Sequence, residues 1–165
     1  MNKNEIERVI FLAGLAFLTA CECDSGRKER VDVSGSRVEV VEDETLRGTA
    51  ADFIANAGDR VFFGFDKSNL SPEAEATLSR QIEWLKQHES RKALIEGHCD
   101  ERGTREYNLG LGERRADSAA RFLLDHGVSG DRVRTVSYGK DRPIAAQGTP
   151  EEIHRMNRVA ISVVE

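Results

Sequence analysis

The chain has 165 residues, a formal net charge of −5, 32% charged residues and 39% hydrophobic ones. That length suits one compact domain plus a tail. The acidic balance and the lack of a basic tract with interleaved aromatics argue against nucleic-acid binding. The ordinary apolar content argues against long β-rich or membrane-spanning architectures.

The most apolar run is Val9 to Ala20, VIFLAGLAFLTA. As a helix, about 12 residues rise only about 18 Å, well short of a bilayer core of roughly 30 Å. The run suits the apolar region of an export signal, so residues 1–20 are expected to be a lipoprotein signal peptide. Lys3 and Arg8 before it are offset by Glu5 and Glu7, which weakens the usual positive start. Leu18-Thr19-Ala20-Cys21 looks like a bacterial lipobox, with small residues that admit the signal peptidase and Cys21 as the lipid attachment point. The competing reading is a buried N-terminal helix ending in a core cysteine. Once Cys21 is acylated, Glu22 in second position is consistent with export to the outer membrane, and several acyl chains would anchor the chain stably. Cys23 then lies in the tail and Cys99 in the domain, so no disulfide framework is expected. No metal ligands accompany Cys21 and Cys23.

Residues 21–58 read as the lipidated N-terminus and a flexible tether: they are small and charged, with no sustained period through about residue 45. A flexible linker of roughly 35 residues spans about 30–35 Å on average and about 110 Å when stretched. Within residues 46–58 the pattern leaves a short helix and an extended lead-in equally open. The domain is expected over 59–165. Arg60 to Phe65 reads as a short buried strand. Ser71-Pro72-Glu73 opens a helix, with Ala74, Leu78, Ile82 and Leu85 on one stripe and Trp84 at its half-buried edge. Ala93 to Gly97 is the second strand. Residues 104 to about 126 form a second helix, with Leu109, Ala116, Ala119 and Leu123 on one side and Gly127 closing it. Arg132 to Tyr138 is a third strand whose alternation slips, as at a bulge. Thr149-Pro150-Glu151-Glu152 has the form of a capping box for a short third helix, and Val159 to Val164 alternates as the last strand. The order β-α-β-α-β-α-β predicts an α+β fold, a single mixed sheet with helices packed on one face.

The most informative run is 97–116, GHCDERGTREYNLGLGERRA. It puts Asp100 at a strand end and Arg115 in the following helix, an acid and a base able to grip the ammonium and carboxylate of a small zwitterion. Arg115 lies about 15–18 Å along the helix from Thr104, so spacing alone does not bring the two together. An Asp that caps a turn and an Arg in a surface salt bridge would fit the spacing equally. His98 reads as structural, holding a strand-end loop, and Cys99 is expected to point away from it, a poor nucleophilic pair.

Gly97, His98, Asp100, Gly103, Tyr107, Asn108, Leu111 and Arg115-Ala116 resemble the peptidoglycan-binding signature of the OmpA-like domain family, a resemblance that covers residues 59–165. It implies a pocket for diaminopimelate, the diamino diacid of Gram-negative wall peptides. Asp100 and Arg115 would hold its free amino and carboxylate end, Asp66 of Phe63-Gly64-Phe65-Asp66 would add a second anion, and Asn108 and Leu111 would line the pocket. Asn157-Arg158 resembles the start of the family's Asn-Arg-Arg motif. Val159 follows where the second arginine would stand, which counts against a ligand role for Arg158. Together with the lipobox, the resemblance implies a non-enzymatic lipoprotein without cofactor or metal. Lipid would hold it in the outer membrane, with its domain in the periplasm and bound to peptidoglycan. It further implies the Tol–Pal envelope system, with TolB as a protein partner and a part in envelope integrity and cell division. A wall-anchoring lipoprotein of a secretion or motility machine is the alternative. A hydrolase using Cys99 with His98, or His88, His126 and His154 as metal ligands, lacks the usual motif spacing.

Overall fold

The computed structural model describes residues 46–165 and, in backbone only, two short segments before them. The expected signal peptide, Cys21 and the tether up to residue 45 otherwise lie outside the described residues. The two segments, β1 (Arg30–Val31) and β2 (Arg37–Val38), pair antiparallel within a unit of their own.

The second unit carries the fold in the order α1 (Ala50–Asn56), β3 (Arg60–Phe62), α2 (Pro72–Gln87), β4 (Ala93–His98), α3 (Arg105–Asp125), a 3-10 turn at Gly130–Arg132, β5 (Val133–Gly139), α4 (Pro150–Asn157) and β6 (Val159–Val164). Local chemistry sets the helix ends. Ser71 and Thr104 each accept an N–H from the first turn of their helix, and Thr149 with Glu152 completes a reciprocal capping box. At the end of α3, Val128 N–H bonds Leu123 O and Gly127 N–H bonds Leu124 O, with Gly127 at φ 94°. This is the two-bond closure that a left-handed glycine allows.

The sheet order is β3-β6-β4-β5, with β4 and β5 parallel and the other pairs antiparallel. It is therefore mixed, as the sequence predicts, and the β4–β5 register shifts between Gly97 and His98. The core forms on one face, where Leu78, Ile82 and Leu85 of α2 and Ala116, Ala119 and Leu123 of α3 meet Val61, Ala93, Ile95 and Ala160. Each fully buried large side chain contributes roughly 1.5–3 kcal/mol. One polar pair crosses this core: Ser162 donates to Gln81 Oε1 at 2.8 Å, and Gln81 donates to Gly58 O at 2.6 Å.

The expectations need correction at four places. The folded unit begins before residue 59, because α1 is part of it: Phe53 and Ala57 are each 1% exposed. Trp84 is buried rather than half-buried. Its ring meets Phe53 edge-on at 5.1 Å and its indole N–H donates to Asp52 at 2.8 Å, so α1 covers it. The first strand stops at Phe62, and Phe62 and Phe65 are exposed, since β3 is an edge strand and the chain turns beyond it. Leu109 is exposed, because it lies beside Ser137 of the other edge strand, whose hydroxyl donates to Leu109 O at 2.6 Å.

Two glycines position the site. A Cβ on Gly97 of β4 would stand 1.9 Å from the Gly112 carbonyl oxygen of α3. Only with both side chains absent does the helix backbone come this close to the strand. The helix therefore runs back along β4, and Arg115, one turn beyond Gly112 on the same face, faces the strand end. Its side chain leans toward the helix N-terminus, as helical side chains do.

Candidate functional site

Beyond β4 the chain runs through Cys99 to Thr104 before entering α3, and this loop forms one wall of a small cleft of about 180 Å³. Asp66, Asp100, Asn108, Leu111 and Arg115 all line it, joined by Phe65, Arg102, Gly103 and Tyr107. The five residues that the resemblance assigned to one pocket are thus brought together, although Asp66 and Arg115 come from distant parts of the chain.

Arg115 forms the floor. It is 1% exposed, and its guanidinium donates to Lys67 O at 2.9 Å, His98 O at 2.8 Å and Gly64 O at 3.2 Å, and to Cys99 Sγ at 3.4 Å. It is not a surface salt bridge. Because a guanidinium carries five N–H donors, these four bonds leave one for a ligand. The planar fork also ties the turn after β3 to the end of β4, which sets the width of the cleft.

Asp100 is 5% exposed and surrounded by cations. Arg102 Nε and Nη2 lie 3.2 and 2.5 Å from Oδ2, and Arg158 Nη1 lies 3.4 Å from the same oxygen. Oδ1 accepts the Arg102 backbone N–H at 3.3 Å, so Asp100 also caps a turn. Burial alone would raise this carboxyl, but the Arg102 hydrogen bonds and charge, with Arg158, more than offset it and hold it below the usual range. Arg158 stands behind Asp100 and does not line the cleft; it donates to Phe63 O at 3.2 Å.

Asp66 reaches the cleft through a turn and not by strand alternation, with φ at 55°, a conformation uncommon for a residue with a Cβ. Its carboxylate accepts the Tyr107 hydroxyl, and that bond raises the phenol above its ordinary value. Asn108 ties down the loop wall by donating to Arg102 O and Thr104 O at 2.8 and 3.0 Å.

His98 and Cys99 diverge. The His98 ring turns to Tyr138 and to Arg142 O, 3.0 Å from Nδ1, while the Cys99 thiol donates to Asn108 O in α3. Burial pushes the thiol up and the imidazole down. Cys99 is the free cysteine among the described residues. Also among the described residues, no helix is long and apolar enough to cross a membrane, and no cluster of three or more His, Cys, Asp or Glu is arranged to hold a metal.

The model of the OmpA family matches residues 62–157, more than half of the chain and the whole of the cleft. The chain belongs to the OmpA family. Among curated OmpA-family relatives, it is 53% identical over 98 residues to the peptidoglycan-associated lipoprotein of Mesorhizobium japonicum, covering 59% of this chain and 58% of that one. It is 34% identical over 158 residues to the protein of the same name from Pasteurella multocida, covering 95% and 97%. The chain spans less than two thirds of the length of the Mesorhizobium relative. Among solved structures, the peptidoglycan-associated lipoprotein of Burkholderia pseudomallei is 38% identical with a TM-score of 0.62, covering 65% of this chain and 90% of that one. The periplasmic domain of Helicobacter pylori MotB, at 16% identity and a TM-score of 0.56, shares the OmpA-family fold.

Sequence reasoning did not single out Phe65, Arg102 or Tyr107 as lining residues. Tyr107 stood within the signature run, and Arg102 follows Asp100 at the two-residue spacing of an aspartate-capped turn. For Phe65 the aromatic strand pattern pointed the other way, toward burial.

Proposed function

We propose that this chain is a non-catalytic lipoprotein that binds peptidoglycan through diaminopimelate and tethers the outer membrane to the wall. The observation that carries this reading is the convergence of Asp100, Arg115 and Asp66 on one cleft, in a domain whose relatives are named peptidoglycan-associated lipoproteins. The free end of diaminopimelate carries an ammonium and a carboxylate on one carbon. The ammonium pairs with Asp100, and the carboxylate meets the remaining N–H of Arg115 and the positive charge of the floor. Asp66, at the rim, adds a second acceptor. Selectivity follows because a ligand without the ammonium offers the largely desolvated Asp100 no partner to set against its arginines, and one without the carboxylate offers the remaining Arg115 N–H no acceptor.

Cys21 carries the lipid in this reading, and residues between it and α1 supply the reach from membrane to wall. The domain acts in the periplasm within the Tol–Pal system, with TolB as a protein partner and a part in envelope integrity and cell division. Nothing in the cleft is asked to do bond chemistry.

Co-sedimentation of the full chain with purified sacculi tests the wall reading. Free diaminopimelate should compete, and Asp100→Ala should cost about 2–5 kcal/mol of binding, as expected for a desolvated charge pair. Retention of wild-type binding by Asp100→Ala, with no competition, would sink it. Membrane fractionation of Cys21→Ala tests the anchor: the variant should leave the membrane fraction.

A further inference from the structure

Three guanidinium groups surround the Asp100 carboxylate or the cleft floor beneath it, and they are fastened very differently. Arg115 is held by three main-chain carbonyls, and Arg158 by the Phe63 carbonyl as well as by Asp100. Among the described residues the Arg102 guanidinium, in contrast, donates to Asp100 alone and otherwise rests on the face of the Phe65 ring, 4.2 Å from its centroid. Its side chain is 39% exposed, against 6% for Asp100 and 9% for Arg158. Arg102 is therefore the one member of the cluster that can leave without orphaning a carbonyl. It is also the outer partner of the pair, lining the cleft through which a ligand must reach Asp100.

A carboxylate as buried as Asp100 is costly without a full cationic partner. Arg158 alone, at 3.4 Å and shared with a carbonyl, is a weak one. Arg102 fills the place on Asp100 that the ammonium of a ligand would take. We propose that Arg102 is a resident competitor on Asp100, displaced when a ligand's primary ammonium binds and returning when it leaves. This rests on the wall-binding reading above and adds regulation to the same site.

The competitor sets affinity and selectivity together. The apparent dissociation constant is the intrinsic one divided by the fraction of chains in which Asp100 is open. A ligand must bring a cation able to replace a guanidinium, so an acylated amine, which has none, cannot open the cleft. Displaced, Arg102 stays within reach of Phe65, a residue 59% exposed whose ring offers its face to a cation. The same exchange keeps Asp100 paired at every stage, which protects the loop wall when the cleft is empty.

The test uses the full chain in detergent micelles and a muropeptide ending in diaminopimelate, with the same peptide acetylated on its terminal amine as the control. Titration calorimetry should show Arg102→Gln binding the muropeptide about tenfold more tightly than wild type, Arg102→Lys binding close to wild type, and the acetylated peptide binding none of them. On the unsubstituted chain, the Arg102 Nε–H resonance should move on saturation with the muropeptide and stay in place with the acetylated peptide. Equal or weaker binding by Arg102→Gln, or an unmoved Arg102 resonance in a saturated wild-type sample, overturns the competitor while leaving the wall-binding reading intact. Failure of wild type to bind the muropeptide overturns both.

Discussion

Gly97 in β4 and Gly112 in α3 meet backbone to backbone, with room for neither side chain: a Cβ on Gly97 would stand 1.9 Å from the Gly112 carbonyl oxygen, and one on Gly112 would stand 2.4 Å from Ser137 Oγ. The two obstacles differ in kind: the carbonyl is fixed by its helix, whereas the serine hydroxyl can rotate by giving up its bond to Leu109 O, leaving the Gly97 oxygen at 3.0 Å as the remaining close contact. Gly97→Ala should therefore cost about 3 kcal/mol or prevent folding, and Gly112→Ala should cost less, partly offset by the better helix propensity of alanine, worth about 1 kcal/mol. Denaturant melts of the two variants check the order. A Gly97→Ala variant as stable as wild type would mean that the helix does not lie this close to the strand.

Arg115 should matter to stability before it matters to binding. Truncation to alanine removes the donor shared by the carbonyls of Gly64, Lys67 and His98. The expected loss is about 3 kcal/mol, since buried acceptors left without partners carry most of their desolvation cost. Arg115→Lys keeps the charge but lacks the fork, so it should recover only part of this. Urea unfolding of both variants without ligand measures it; an unchanged midpoint for Arg115→Ala would place the arginine outside the scaffold.

The α1 helix should be part of the cooperative unit. Phe53 is 1% exposed and packs on Trp84, whose indole N–H bonds Asp52. Phe53→Ala should cost about 3–4 kcal/mol, the range for truncating a buried aromatic. Trp84 fluorescence reports the same event, because its ring loses that neighbour. If the fold began only at residue 59, neither reading would change.

His98 should make the domain less stable in mild acid. Its ring is buried, Nε2 has no hydrogen-bond partner among the described residues, and burial holds its pKa below the ordinary value despite the Arg142 carbonyl and Glu96. The unfolded chain therefore takes up this proton first as pH falls, and stability is fully present above about pH 6.5. It declines as pH drops from there toward the lower folded value. Thermal melts between pH 7.5 and 5 should show this decline in wild type and a shallower one in His98→Gln. Equal slopes in the two chains would assign the decline to other groups.

Much of this protein is determined within short stretches of its sequence. Ser71-Pro72 and Thr149 through Glu152 start helices where the structure has them, because caps act on N–H groups only two or three residues away. The order of elements follows for the same reason, as apolar periodicity is a property of each segment. The long run from Gly97 to Ala116 also marked Asp100, Asn108, Leu111 and Arg115, which line one cleft in the structure, though it gave no sign of Phe65 or of Arg102 as a lining residue. What only the tertiary structure decided is which segments meet. The strand order β3-β6-β4-β5 and the burial of Trp84 under α1 depend on partners tens of residues away. So does the meeting of Asp66 with Asp100, which lie on different turns tied together by the guanidinium groups of Arg115, Arg158 and Arg102. The state of Asp100 is the sharpest case. The sequence places a carboxylate after a strand, but whether it stands open or already paired depends on burial, and burial makes Arg102 its partner.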